Sequence, residues 1–294
     1  MIDGILVIDK PIGLTSHDVV QRVRRWAGQR RVGHLGTLDP LATGVLPIAL
    51  GEATKLSQLL THGDKIYRGQ IHLGVETTTY DREGEPGEPH VGELPGKEQV
   101  AKALTHFEGE IRQVPPPYSA VKRGGEAAYV RARRGEEVEL EARTVTLYRV
   151  ALLRYEAPLV EVEVHCTAGT YLRSLAHDLG KVLGTGAHLH ELCRLKSGPF
   201  TIEQSVTLEQ LEERGQERVI PMAAATGLPS LEVDSRIARR LGQGIQVVRH
   251  ELRGAPMEGT VQLLHQGRLV ALAELHRGLP QVRTLRVFLE GTKS

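Results

Sequence analysis

The stretch RVGHLGTLDPLATG (residues 31–44) sets a carboxylate, Asp39, in a glycine-rich loop. Pro40 disfavours helical backbone at Asp39, and the apolar run VLPIAL (45–50) after the loop predicts a buried strand. The glycines allow a large ligand to approach the backbone closely. His34 lies in the same loop. Asp39 is therefore a candidate catalytic residue, and a turn-forming Asp-Pro pair is the alternative interpretation.

A strand and a helix are predicted before this loop. The apolar residues GILVIDK (4–10) indicate a short buried strand that Pro11 stops. Thr15 or Ser16 is the candidate N-cap of an amphipathic helix, which Gly28 ends.

Residues 65–73, KIYRGQIHL, alternate as a half-buried strand does. Tyr67 shares one face of this strand with Lys65 and Gly69. We weigh Tyr67 as a functional aromatic residue against a tyrosine that only packs on a sheet.

The segment GTYLRSLAHDLGKVLG (169–184) predicts a helix opened by Gly169 and Thr170. Its apolar face consists of Leu172, Leu175, Leu179 and Val182. Arg173 lies in the first turn, where a cation is unusual because helix N-termini favour anions. Arg173 is expected to have a specific carboxylate or phosphate partner, with a solvated arginine as the alternative.

An unusual basic segment occupies about residues 113–140. QVPPPYSAVKRGGEAAYVRARRGEE combines rigid prolines, flexible glycines and cations that include Lys122 and Arg123. Tyr118 and Tyr129 lie between the cations. Cations meet phosphates and rings stack on bases, so the composition suits an element that grips nucleic acid. A solvated charged loop is the alternative.

No metal site or cofactor is expected. The sequence HLHE (188–191) lacks the accompanying ligands of a zincin site. The two cysteines, Cys166 and Cys193, form neither a C-x-x-C pair nor a disulfide framework.

The composition fits a soluble cytoplasmic protein. Apolar residues make up 40% and charged residues 25% of the 294 residues, and the net charge is +1. No apolar run approaches the ~20 residues of a membrane span, and the N-terminus does not read as a signal peptide. A basic patch can still hide in a neutral total, so nucleic-acid binding stays open.

Two domains are expected. The pattern changes near GLPS (227–230), after which short strands are predicted at IQVV (245–248), at 259–275 and at TLRVFL (284–289). The predicted division is therefore a larger domain of residues 1–228 and a small β-rich domain of residues 229–294.

Together these segments resemble the bacterial tRNA pseudouridine-55 synthase (TruB) family. The similar pieces, in family order, are GILVIDKPIGLTSHDVV, RRVGHLGTLDPLATGVLPIALGEATK, KIYRGQIHLG, QVPPPYSAVKRGG, CTAGTYLRSLAHDLG and LCRLKSGPF. The block GHLGTLDPLATG is the most specific. The resemblance implies an α/β (α+β) fold with a mixed, largely antiparallel sheet, a central RNA-binding cleft, and a C-terminal β-domain of the PUA type.

The resemblance also implies roles for individual residues. Asp39 is the catalytic carboxylate, Arg173 faces it, and Tyr67 stacks on the target uracil. His34 stabilises the rearranged RNA loop, and Lys10 supports the site. The further residues expected to bind RNA are Gly36, Thr37, Leu38, Tyr171, Lys122, Arg123 and Arg194.

The implied reaction is isomerisation of uridine 55 in the TΨC arm of tRNA, by a monomer that needs no cofactor and no protein partner. Three alternatives are kept. The chain is a tRNA-binding or tRNA-folding protein in which catalysis is secondary, a metal-dependent hydrolase that uses its histidines, or an RNA-guided synthase within a protein assembly.

Overall fold

A computed structural model describes residues 1–119, 122–123, 126–127, 131, 134 and 140–288. The strands are β1 (Gly4–Lys10), β2 (Val32–His34), β3 (Ala42–Leu50), β4 (Lys65–Leu73), β5 (Gly109–Gln113), β6 (Lys122–Arg123), β7 (Glu126–Ala127), β8 (Arg143–Glu156), β9 (Leu159–Cys166), β10 (Ala187–Ser197), β11 (Phe200–Thr201), β12 (Ser230–Glu232), β13 (Gly259–His265), β14 (Arg268–Leu275) and β15 (Arg283–Val287). The helices are α1 (Ser16–Ala27), α2 (Ser57–Thr61), α3 (Lys97–Thr105), α4 (Leu172–Leu183), α5 (Leu211–Arg214), α6 (Met222–Thr226) and α7 (Ser235–Gly242).

A large sheet forms the centre of the fold. Its strand order is β1-β3-β10-β4-β9-β8-β5, with β2 paired to β3 and β11 paired to β10. All of these pairs are antiparallel except β3 with β10. The predicted α/β fold with a mixed, largely antiparallel sheet is confirmed. The strand that carries the glycine-rich motif, β3, therefore lies next to the long strand β10.

One face of the sheet is covered by α1, α3 and α4 in a single apolar cluster. Thr15 caps α1 through a hydrogen bond from the Asp18 amide, and Gly28 ends it in the left-handed conformation, as predicted. Helix α4 begins at Leu172, three residues later than the predicted opening at Gly169. Val182 is 55% exposed and does not extend the apolar face, which continues instead to Leu183 in the same turn.

Residues 230–287 form a second sheet, with the order β12-β13-β14-β15. Two details differ from the sequence expectation. IQVV (245–248) is not a strand, and α7 precedes it. Asp234 caps α7 by accepting a hydrogen bond from the Ile237 amide, and Ile237 and Leu241 are buried at helical spacing. Sequence analysis missed α7 because two apolar residues among eight do not establish a helical pattern.

The second sheet packs on the opposite face of the large sheet. Leu269, Leu272 and Phe288 share an apolar cluster with Ile5 and Val7, which alternate along β1 with residues of the first cluster. Lys55 Nζ donates a hydrogen bond of 2.9 Å to the Val287 carbonyl oxygen. The boundary at residues 228 and 229 remains a prediction. No helix in the described ranges is long and apolar enough to cross a membrane.

We expect Gly44→Ala to lower the free energy of unfolding by about 3 kcal/mol. Gly44 has φ +94°, and a Cβ there would lie 2.3 Å from the Arg194 carbonyl oxygen on β10. Gly28→Ala is the matched control, because Gly28 also has positive φ (+58°) but open space around it. It should cost about 1 kcal/mol. Urea unfolding measures both, and equal losses would contradict the close approach of β3 and β10.

Candidate active site

Asp39 and Arg173 form an ion pair at the surface of the sheet. Asp39 lies in the connection between β2 and β3, and Arg173 is the second residue of α4. Arg173 Nη2 lies 3.0 Å from Asp39 Oδ2. The Arg173 side chain is 6% exposed and the Asp39 side chain 40% exposed, so a buried guanidinium holds an accessible carboxylate. Asp39 is thus the specific carboxylate partner expected for an arginine in the first turn of a helix.

A second carboxylate holds the other side of the guanidinium. Arg173 Nη1 lies 3.4 Å from Asp81 Oδ2, and Asp81 is buried. Asp81 Oδ1 accepts hydrogen bonds from Thr79 Oγ1 at 2.6 Å and from the Glu83 amide at 3.0 Å. Thr77 Oγ1 donates to the Asp81 carbonyl oxygen at 2.6 Å. These bonds satisfy the buried carboxylate and fix its position.

Sequence reasoning missed Asp81. It lies in the polar segment 77–96, where many acidic residues made none of them conspicuous. The one available signal was the hydroxyl-rich run TTTYD (77–81), since threonine hydroxyls commonly satisfy a nearby carboxylate.

The connection that carries Asp39 is fixed by two buried cations. Arg194 donates to the backbone carbonyl oxygens of Val45 at 2.7 Å, Gly36 at 3.1 Å and Thr37 at 3.3 Å. Lys10 Nζ donates to the Pro40 carbonyl oxygen at 3.3 Å. The backbone before and after Asp39 is therefore fixed by side chains from β10 and β1.

Lys10 also donates to the carbonyl oxygens of Leu14 at 2.7 Å and Pro11 at 2.9 Å. Burial lowers the pKa of Lys10 to about 8, and the nearby Asp39 carboxylate opposes that shift. Ser16 adds a further tie, because its hydroxyl donates to the Leu38 carbonyl oxygen and accepts from the Leu38 amide.

Tyr67 lies on β4 with its side chain buried, on the face that Lys65 and Gly69 share, as predicted. It pairs in register with Arg194 on β10 and Val164 on β9. Burial raises the pKa of the Tyr67 phenol, and the neighbouring Arg194 guanidinium opposes this shift. The phenol is therefore neutral near neutral pH.

A cavity of about 250 Å³ joins these groups. The predicted site residues that line it are Gly36, Thr37, Leu38, Asp39, Tyr67, Tyr171, Arg173 and Arg194. Thr61 and Lys65 also line it, and sequence reasoning assigned neither of them to the site. The lining offers a carboxylate, two phenols and three cations.

Two predicted residues lie outside the cavity lining. Lys10 donates to the Pro40 carbonyl oxygen in the connection that carries Asp39, but it does not line the cavity. His34 lies on β2 and is partly buried. Burial and the nearby Arg194 cation lower the pKa of His34, so its imidazole is neutral near neutral pH.

Residues 113–119, at the beginning of the basic segment, contact the candidate site. The side chains of Lys122 and Arg123 lie outside the described residues, so their predicted contacts stay a prediction. Gln113 exchanges two hydrogen bonds with the backbone of Tyr171, at 2.8 and 3.0 Å. Arg173 Nη2 donates to the Tyr118 carbonyl oxygen at 3.1 Å. The segment therefore begins in direct contact with the N-terminus of α4.

Within the described part of the chain, no group of three or more His, Cys, Asp and Glu side chains is arranged to hold a metal ion. In the sequence HLHE, His188 stacks on His72 with ring centroids 5.1 Å apart, and its Nδ1 lies 2.9 Å from the Val75 carbonyl oxygen. His188 thus has structural neighbours on β4 and in the loop after it.

Two protein-family models match the chain, and together they cover residues 24–220. Residues 24–172 match the model of the TruB family pseudouridylate synthase N-terminal domain. Residues 173–220 match the model of the tRNA pseudouridylate synthase B C-terminal domain. The matched ranges contain Asp39, Tyr67 and Arg173.

Similar proteins and solved structures agree with this match. The chain is 45% identical to a tRNA pseudouridine synthase B of Solibacter usitatus, covering 93% of this chain and 96% of that protein. It is 41% identical to one of Geobacter sulfurreducens, covering 97% and 99%. A crystal structure of a Cbf5-Nop10-Gar1 complex contains a chain with TM-score 0.74 and 30% identity, over 97% of this chain and 85% of that one. The chain belongs to the TruB family of pseudouridylate synthases.

Proposed function

We propose that this enzyme isomerises uridine 55 in the TΨC arm of tRNA to pseudouridine, with Asp39 as the carboxylate that acts on the ribose. The observation that carries the proposal is the 3.0 Å ion pair of Asp39 and Arg173 at a cavity of nucleoside size. The similar proteins of Solibacter usitatus and Geobacter sulfurreducens are named tRNA pseudouridine synthase B, which supports uridine in tRNA as the substrate.

The target base must leave the RNA stack to enter the cavity. The C1′–N1 bond then breaks, the uracil turns, and C5 bonds to C1′. The C5 proton is lost and N1 gains one, so no oxidation state changes and no redox cofactor takes part. Asp39 either bonds to C1′ or removes a ribose proton to form a glycal.

Arg173 keeps the carboxylate of Asp39 in one orientation. A carboxylate that must reach a single sugar atom gains from such fixation, because orientation is a large part of catalysis. Asp81 holds Arg173 from the other side, so the catalytic carboxylate is positioned through a relay of two buried groups.

Tyr67 forms part of the cavity wall, where its ring can stack on the uracil. The neutral phenol can also assist removal of the C5 proton late in the reaction, if its oxygen takes up that proton while its own hydroxyl proton passes to water. Residues 36–38 also line the cavity, and Tyr171 contributes a second ring to the wall.

Further parts of the proposal concern partners. The enzyme acts as a monomer in the cytoplasm, and residues 113–140 and the second sheet contact RNA phosphates, so binding weakens as salt rises. The solved Cbf5 chain stands in a complex with Nop10 and Gar1, and activity of the isolated chain on bare tRNA tests whether this enzyme needs such partners. A tRNA-folding role without catalysis is not favoured by relatives named as synthases.

Asp39→Asn should lower the rate of tritium release from tRNA labelled at uridine C5 by about 10⁴-fold or more, with RNA affinity close to wild type. The amide keeps the shape but cannot bond to C1′ or accept a ribose proton. Glu161→Gln, which removes a half-buried carboxylate of β9 that does not line the cavity, should leave the rate unchanged. Wild-type release should also vanish on tRNA with cytidine at position 55; release from that RNA would contradict the target assignment.

Asp81→Asn should lower the single-turnover rate about tenfold to hundredfold, because Arg173 loses one of its two carboxylates and with it the fixed orientation of Asp39. Glu85→Gln, an exposed acid in the same loop, is the control and should keep the wild-type rate. If Asp81→Asn turned over tRNA as fast as wild type, the relay would have no part in catalysis.

Tyr67→Phe should lower the single-turnover rate about 100-fold and leave the dissociation constant for tRNA nearly unchanged. The ring that stacks on the base is kept, and only the phenolic hydroxyl is lost. Rapid-quench kinetics and filter binding measure the two quantities. Equal losses in both would assign the hydroxyl to RNA binding.

A further inference from the structure

Lys65 is a buried cation in the wall of the active-site cavity. It is the first residue of β4, 5% exposed, and it shares a strand face with Tyr67. Its neighbours in register are Cys166 on β9 and Ser197 on β10, which places it on the sheet itself. Lys65 and Asp39 line the same cavity, and Lys65 is the less exposed of the two, because the Asp39 side chain is 40% exposed.

No carboxylate neutralises Lys65 in the described part of the chain. Its Nζ donates to the Thr61 carbonyl oxygen at 3.0 Å and to the carbonyl oxygen of Gly63. Asp64 points to Tyr148 and His165 instead. Ion pairs within 4 Å are absent for Lys65 among the described residues, so its charge is held by carbonyl dipoles alone.

The groups around Lys65 leave its charge in place. Burial and, to a smaller extent, the Arg194 cation lower the pKa of Lys65 to about 8, while Cys166 and Asp64 oppose the shift. The ammonium is therefore mostly protonated near neutral pH. Burial also raises the pKa of the Cys166 thiol to about 11, so the thiol is neutral and offers no negative charge.

The cavity as a whole carries an excess of positive charge. Arg173 is matched by Asp39 and Asp81, whereas Arg194 has no carboxylate partner among the described residues and donates to backbone carbonyl oxygens and to the Tyr67 hydroxyl. Arg194 is committed to the loop, while Lys65 has donated two of its three N–H groups. A fixed, buried donor of this kind stabilises negative charge that develops during a reaction.

We propose that the Lys65 ammonium stabilises the uracil anion that forms when the glycosidic bond breaks, which makes Lys65 a further catalytic residue. The inference rests on the proposed function. In the step, the C1′–N1 electron pair passes to uracil, whose charge spreads over N1, O2 and O4. Asp39 meanwhile bonds to C1′ or takes a ribose proton. The anion is consumed when C5 attacks C1′, as the bond from Asp39 to C1′ breaks or as Asp39 returns its proton to the ribose. C5 then loses its proton and N1 gains one.

The burial of Lys65 favours the base over the RNA backbone as its partner. A cavity of about 250 Å³ takes a nucleoside, and the phosphates of that nucleotide stay joined to the rest of the RNA outside. A lysine in the wall of this cavity that is only 5% exposed is therefore expected to contact the base that enters the cavity and not a phosphate outside it.

The test uses Lys65→Met in the full chain, with enzyme in excess over a tRNA transcript. Lys102→Met, which removes an exposed lysine from α3, is the matched control. We expect Lys65→Met to lower the single-turnover rate about 100-fold while RNA affinity and its salt dependence stay as in wild type. Lys102→Met should keep the wild-type rate.

A second substrate separates catalysis from a structural role. When uridine 55 alone is replaced by 5-fluorouridine, fluorine stabilises the departing base anion, so the enzyme has less need of Lys65. On this substrate, Lys65→Met should lower the single-turnover rate by only about tenfold. The rate is measured by nucleoside chromatography, as the consumption of 5-fluorouridine. Equal losses on both substrates would overturn the proposal, as would a loss confined to RNA affinity, which would mark a phosphate contact.

Folding of the variant is checked by its thermal midpoint. If Lys65→Met is less stable than wild type, Lys65→Arg and Lys65→Gln replace it, and only the arginine variant, which keeps the charge, should retain most of the rate. Inactivity of the wild-type enzyme itself on tRNA would reject the proposed function. An active wild type with an equally active Lys65→Met would reject only the role of Lys65.

Discussion

The site depends on one buried guanidinium held between two carboxylates. Arg173 pairs with Asp39 at 3.0 Å and with Asp81 at 3.4 Å, and it is itself nearly inaccessible to solvent. Burying a cation is costly unless its partners are well placed, so the fold around it must bring three separate segments together. The connection before β3, the loop after β4 and the start of α4 meet at this point. If Asp39 or Asp81 moved away, part of the Arg173 charge would be left uncompensated. The hydrogen bonds to the surrounding backbone keep both carboxylates in place.

Buried cations recur around the cavity, with different partners. Lys10 and Arg194 donate hydrogen bonds to carbonyl oxygens of the connection that carries Asp39. These bonds hold the glycine-rich loop in one conformation. Lys65 is held by two carbonyl oxygens at the edge of the same cavity. The division of labour follows from reach: a guanidinium with five donors can span a loop, while an ammonium acts as a compact charge.

Patterns within a single segment predicted much of this correctly. The capped helix α1, the alternating strand β4 with Tyr67 on the face of Lys65 and Gly69, and the arginine that needed an anion were all expected from local spacing. The short helix α7 was missed, and α4 was placed too early, because glycine and threonine at 169 and 170 resemble a helix start. Asp81 and Lys65 were missed because a lone acid in a polar loop and a lone lysine on a strand carry no local sign of burial.

The sequence by itself determined most of the elements, the division of the β4 side chains between two faces and the carboxylate at the centre of the glycine-rich motif, because side-chain period and backbone restriction act between near neighbours. Only the tertiary structure decided which distant groups meet. The parallel pairing of β3 with β10 brings Arg194 beside the Asp39 connection, and the loop after β4 folds back so that Asp81 reaches Arg173. Arg173, Asp39 and Asp81 lie far apart in the chain, so their charges compensate one another only after the segments that carry them pack together.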